Sequence, residues 1–351
     1  MERDARLRAM DVRAERVGSV RLPGAARLVD GHARPAGRGR LALRRDDRLE
    51  VYDLTALLAG STAPVAAFPA PWPGWDRGVD AVAPDLGLAV FSGQRAVRAV
   101  AADGRPLWEH RHGCWGPVVD HPHTGDEQEV CAGLEHGSVL VPGDGTAVWA
   151  HVVGEDGREH WVVLDARDGR ELARVPLEDS AASGSHQLAL PDDGTVLLCV
   201  GMGQDGVLLY GARADGTGMS VRDLGEDLDR ILLDVHPTRP GYLTVEHSCQ
   251  DLRLHAPDGT VLAERDADEL GEEGCWDHAA GFTDADTVLA VAEDPEGGAG
   301  HWLLDAGTLA PLGPVAYPRP VDGLARGLGD GTWLTHDRAT DTLTRWRRAG
   351  A

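Results

Sequence analysis

Two imidazoles and a thiol alternate along His110-Arg111-His112-Gly113-Cys114. On an extended strand, residues i, i+2 and i+4 point to one face. His110, His112 and Cys114 could then hold Zn²⁺ or copper together, since both metals take nitrogen and sulfur ligands. His121-Pro122-His123 and Cys131 follow within 113–136, a segment read as an insertion between repeats, where function often sits. A wider set of ligand-binding candidates is Trp75, Asp76, Trp115, His136, His151, His186, His247, Trp276, Asp277, His278 and His336. Ser185, Asp234, Glu246, Cys275 and Asp322 accompany them. The plainer role for each is packing, with a histidine bonded inside its own sheet or a tryptophan wedged between sheets.

Several chemistries are absent from the chain. All 34 Lys+Arg residues are arginine, so there is no Schiff-base lysine and no phosphate-loop lysine. There is no asparagine, hence no N-glycosylation sequon. Neither Gly-x-Ser-x-Gly nor His-Glu-x-x-His occurs. Acidic pairs such as Glu272-Glu273, or Glu127 with Glu129, read as solvated loop charge. The net charge of −23 disfavours a nucleic-acid phosphate or an anionic membrane as partner and favours a cationic one. Five cysteines without a Cys-x-x-Cys pair fit reduced thiols in a cytoplasm. The charged start Met1-Glu2-Arg3-Asp4 shows no apolar signal region, and no apolar run is long enough to cross a bilayer.

These side chains need a scaffold, and an internal repeat supplies one. A turn rich in Gly, Asp or Thr precedes a short apolar phrase seven times. The phrases begin at Leu41, Leu88, Ala147, Val196, Leu243, Val288 and Trp333. Most continue through a polar loop, a second strand, an Asp-Gly turn and a third strand. Trp161–Asp165, Arg167-Asp168-Gly169 and Glu171–Val175 show the pattern. Asp-Gly supplies the positive φ that tight hairpins need. One more short strand lies upstream, such as His186–Leu190. No segment shows a helical period. Four strands in a unit of about 40–50 residues make a propeller blade. The expected fold is all-β, a single seven-bladed β-propeller of four-stranded antiparallel blades over 1–351. Residues 1–15 are expected to form an arm. The seventh repeat stops after its third strand, Thr342–Trp346, so Arg16–Arg21 is expected to supply the missing outer strand and close the ring.

The stretch Val163-Leu164-Asp165-Ala166-Arg167-Asp168-Gly169-Arg170-Glu171-Leu172 resembles the WD-repeat and quinoprotein-like propeller superfamily, as does Tyr52-Asp53-Leu54. Trp75-Asp76 and Trp276-Asp277 carry the Trp-Asp dipeptide, but in loops between repeats rather than at the end of a third strand. The resemblance implies a ring presenting loops for protein or ligand contact. Two functions follow as expectations. One is a non-catalytic cytoplasmic scaffold, monomeric, holding a protein segment or small ligand at a His/Trp-rich channel mouth. The other is a metal-assisted hydrolase or lyase with His, Asp and Glu ligands from several blades, centred on His186 and His278.

Overall fold

Each of the seven apolar phrases forms the second strand of an antiparallel set in the computed structural model. The structure describes residues 11–22, 27–28, 39–72, 75, 77–116, 135–177, 184–215, 218–225, 229–269, 274–293, 299–321 and 325–350. The chain divides into two compact units, one of Pro23–Arg230 and one of Met1–Leu22 with Ile231–Ala351.

The strand β1 is Val12–Arg21. The first unit then builds four sheets in chain order. They are β2 (Arg27–Leu28), β3 (Arg40–Arg44), β4 (Arg48–Asp53) and β5 (Ala66–Pro69); β6 (Ala81–Val82), β7 (Ala89–Ser92), β8 (Ala96–Val100) and β9 (Pro106–Arg111); β10 (Ser138–Leu140), β11 (Ala147–Val153), β12 (Glu159–Asp165) and β13 (Glu171–Pro176); and β14 (Gly184–Ala189), β15 (Val196–Gly201), β16 (Val207–Ala214) and β17 (Met219–Asp223). The second unit holds β18 (Arg230–Val235), β19 (Tyr242–Glu246), β20 (Asp251–His255) and β21 (Val261–Asp266). It ends with β22 (Cys275–Phe282), β23 (Thr287–Glu293), β24 (Ala299–Asp305), β25 (Pro311–Ala316), β26 (Ala325–Gly327), β27 (Thr332–Asp337) and β28 (Thr342–Arg348).

Burial follows strand position. The second and third strands are covered on both faces, as in Val196–Val200 of β15. The fourth strands are more open, and β13 and β21 alternate exposed and half-buried residues after their first residue. Double coverage arises because consecutive sheets within each unit pack face to face. Val90 and Val97 share a core with Val148 and Val162, and Leu243 and Leu254 share one with Val288 and Leu304. Each fully buried large side chain in such a core contributes about 1.5–3 kcal/mol.

The aspartates work at the turns through their side chains as well as through backbone preference. The Oδ1 atoms of Asp103, Asp156, Asp168 and Asp258 each accept the N–H two residues on, at 3.0–3.1 Å. This closes an Asx turn in a chain that lacks asparagine.

Three expectations change. The arm expected over 1–15 gives way to strand at Val12. A short helix, α1 (Leu54–Leu58), follows β4, capped by the Asp53 carboxylate accepting the Ala56 N–H at 2.8 Å. Five residues are too few to print a helical period. The segment from Cys275 to His278, expected as a loop, is the start of β22.

β1 has two neighbours. It pairs antiparallel with β28 from Ala14 to Arg21 and parallel with β25 at Val12 and Arg13. The strands β22–β25 and β26–β28 thereby join through β1 into one eight-stranded sheet, beside five separate four-stranded sheets among the described residues.

Candidate functional site

Four of the sequence candidates gather in the first unit, around Trp115. The Trp115 indole is 3 % exposed and packs against His151, with ring centroids 5.2 Å apart. His112 meets the same indole edge-on at 6.5 Å. His136 lies over the start of β14, where a Cβ on Gly184 would stand 2.3 Å from its Cε1. Gly137 is equally constrained, since a Cβ there would meet the His151 carbonyl oxygen at 2.2 Å and Trp115 Cζ2 at 3.0 Å. Two glycines thus let the His136 and Trp115 rings close on the backbone.

His112 Nδ1 lies 2.6 Å from the Gly113 carbonyl oxygen, so that nitrogen carries the proton and Nε2 is left as an acceptor. Burial pulls the His112 pKa down to about 3, which keeps the ring neutral at pH 7. Its Nε2 and the Trp115 indole N–H are both buried without a hydrogen-bond partner. One is an acceptor and the other a donor.

A polar relay runs beneath the cluster and ties two sheets together. The Trp161 indole donates to Gln187 Oε1 at 2.9 Å, which turns Gln187 Nε2 toward the Ser138 carbonyl (3.0 Å) and hydroxyl (3.1 Å). Ser138 Oγ lies 2.8 Å from Ser185 Oγ, and Ser185 Oγ lies 2.8 Å from His151 Nδ1. Ser138 accepts from Gln187 and shares a hydrogen bond with Ser185, which in turn bonds His151. His151 Nε2 then faces Glu159 Oε2 across 2.8 Å, close but not aligned as a hydrogen bond. Ser185, His151 and Glu159 are each at least 95 % buried. The order serine, imidazole, carboxylate matches a hydrolase triad on paper. Its serine is shut off from solvent, so the arrangement joins β10–β12 to β14.

The other candidates have local roles. The Trp75 indole donates to the Ser92 carbonyl at 2.8 Å, beside the buried Arg44–Asp80 ion pair of 3.2 Å. Trp276 is fully buried and donates to the Arg265 carbonyl at 3.1 Å. His336 Nε2 contacts Asp341 Oδ1 at 2.9 Å inside its own hairpin. His186 sits half-buried on β14 next to Ser185, and Asp277 half-buried on β22. Asp76, Asp322, His121, His123, Cys131, Glu127, Glu129, Glu272 and Glu273 lie outside the described residues.

The metal-ligand set expected at His110, His112 and Cys114 is not assembled. β9 ends at Arg111, so the strand alternation stops before it reaches the second and third residues. His110 Nε2 instead faces Arg174 and Glu171 of β13 at 3.5 and 4.0 Å. Cys114 Sγ accepts the Gly116 N–H at 3.1 Å. Among the described residues, only Asp251, Glu264 and Asp266 place three ligand atoms within 4.8 Å of one another. Arg253 already occupies that group, 3.4 Å from Asp251 and 2.9 Å from Glu264.

No family model matches the chain, and no curated protein matches its sequence. Solved structures do match. BamB from Moraxella catarrhalis aligns with a TM-score of 0.51 at 13% identity, over 96% of this chain and 98% of that one. A chain of the mitotic checkpoint complex aligns with a TM-score of 0.55 at 11% identity, over 95% of this chain and 91% of that one. The fold is a WD-repeat-like β-propeller.

Other residues of this propeller emerge only in three dimensions. Ser138, Glu159 and Gln187 are ordinary strand residues in the sequence and become the relay under Trp115. Cys249 has its Sγ 3.2 Å from His278 Nε2. The signal that could have marked it is the turn between β19 and β20, where a non-glycine residue must take a φ of 66°.

Proposed function

We propose that the propeller is a non-catalytic binding scaffold. It would act in the cytoplasm as a monomer, with half-buried His112 and His136, over the buried Trp115 indole, as its contact face for a protein segment or small ligand. We infer seven blades, the last completed by β1. One observation carries the binding reading: a buried indole N–H and a buried imidazole acceptor stand unpartnered in the same aromatic cluster. Leaving such groups unpaired costs about 1–3 kcal/mol each. A bound group that accepts from Trp115 and donates to His112 recovers that energy. A hydroxyl or a carboxamide does both, whereas a carboxylate only accepts and an ammonium only donates. The acidic surface would steer a segment whose flanks are cationic. One of the similar chains belongs to a multiprotein assembly by its own description, which supports a scaffold role here.

Affinity capture from the native host, comparing the unaltered protein with Trp115→Phe and His136→Ala, tests the reading. A partner retained by the unaltered protein should be lost by both variants while their thermal melts stay cooperative. Equal recovery by all three would overturn it.

A further inference from the structure

The two imidazoles and thiol expected together at His110, His112 and Cys114 have a counterpart in the second unit, in residues up to 31 apart in sequence. The turn after β19 carries Cys249 and is held from several sides. The Cys249 N–H donates to the Glu246 carbonyl at 2.8 Å, and the Ser248 hydroxyl donates to Glu246 Oε2 at 2.7 Å. The Trp276 N–H donates to the Cys249 carbonyl at 2.8 Å, which docks the turn on β22. That docking brings in His278, two residues further along β22. Cys249 Sγ then lies 3.2 Å from His278 Nε2. The His247 ring is stacked on His278, inclined by 19° with centroids 6.4 Å apart. His278 is exposed, and Cys249 and His247 are half-buried, so all three can be reached from solvent.

We propose that Cys249, His278 and His247 form a binding site for a thiophilic metal ion, with Zn²⁺ the best fit. A tetrahedral zinc holds sulfur at about 2.3 Å and nitrogen at about 2.0 Å, which sets those two ligands about 3.5 Å apart. The Sγ–Nε2 separation of 3.2 Å is close to that edge. His247 is the third ligand. Its nitrogen lies outside the 4.8 Å grouping, so its ring swings out of the stack toward the thiol as the ion enters. Binding displaces the thiol proton to solvent, because the thiolate is the ligand. Three protein ligands leave a fourth position for water or an incoming donor group. The carboxylate group at Asp251, Glu264 and Asp266 is a poorer home for this ion, because it offers only hard oxygen ligands and already holds Arg253.

The test uses the whole chain, purified without a histidine tag and stripped with a chelator. Added Co²⁺ should give a thiolate-to-cobalt charge-transfer band and the intense visible bands of a tetrahedral ion, and equimolar Zn²⁺ should remove both. Cys249→Ser should abolish the charge-transfer band. His278→Ala and His247→Ala should each weaken Zn²⁺ binding by about tenfold or more. Cys275→Ser should leave the band in place. A second measurement needs no variant: Zn²⁺ should slow alkylation of Cys249, mapped by mass spectrometry, without slowing that of Cys275. Absence of the band, a band that survives Cys249→Ser, or Zn²⁺-independent alkylation of Cys249 overturns the proposal.

Discussion

His151 Nε2 and Glu159 Oε2 lie 2.8 Å apart with neither side chain open to water. The other imidazole nitrogen is held by Ser185 from the next sheet. Removing one partner of such a contact strands the other in a medium that cannot solvate it. His151→Ala should therefore destabilise the fold by about 3 kcal/mol or more. A urea melt reads this directly. Ser185→Ala breaks the same relay one link away, and its effect should be non-additive with that of His151→Ala. Simple additivity would show that the two sheets do not communicate through this chain of groups.

The unpartnered indole makes a prediction of opposite sign. Trp115→Phe keeps the ring against His151 and deletes the N–H. Stability should stay level or rise by about 1 kcal/mol. Trp115→Ala, which also opens a cavity, should cost about 3–5 kcal/mol. A clear loss of stability in the phenylalanine variant would mean that the N–H has a partner in solution.

His112 sets a pH dependence. Burial lowers its folded pKa from the ordinary value near 6.5 to about 3. The unfolded chain therefore binds a proton first as pH falls. The stability from a neutral His112 is fully present above about 6.5 and is lost progressively from there down to about 3. His112→Phe should flatten the stability profile across that window. NMR of the imidazole should show it neutral, with the proton on Nδ1, at pH 5.

The strand β1 can be removed without touching any candidate ligand. Deleting residues 1–21 uncovers an edge of β28 along its whole length and an edge of β25. Exposed edges invite pairing with other chains. The truncated protein should aggregate and lose its cooperative melt, and a peptide covering 11–22 added during refolding should restore both. Recovery without the peptide would show that β28 tolerates a bare edge.

Much of this architecture is local enough to be written along the chain. Phrases such as Val196–Cys199 are apolar runs bounded by turn residues, and each became a doubly covered strand. What escaped has identifiable causes. β22 breaks its alternation at a register shift between Trp276 and Ala280, so a strand reads as a loop. The His110 to Cys114 alternation assumed a strand longer than β9. Trp115, His136 and His151 could be proposed as neighbours from repeat stacking alone. The Cys249–His278 contact could not, because it depends on one turn taking a positive φ and docking on a strand 29 residues away.

The pairing of β1 with β28 has a kinetic corollary. Ser19 and Thr344, facing each other at 3.2 Å, are 325 residues apart in sequence. During synthesis β1 emerges some 325 residues ahead of its β28 partner, so it must wait, without that partner, while the strands between them are made. The final sheet cannot assemble until β28 has been made. That last annealing step carries the largest loop-closure entropy in the molecule and should set its folding rate.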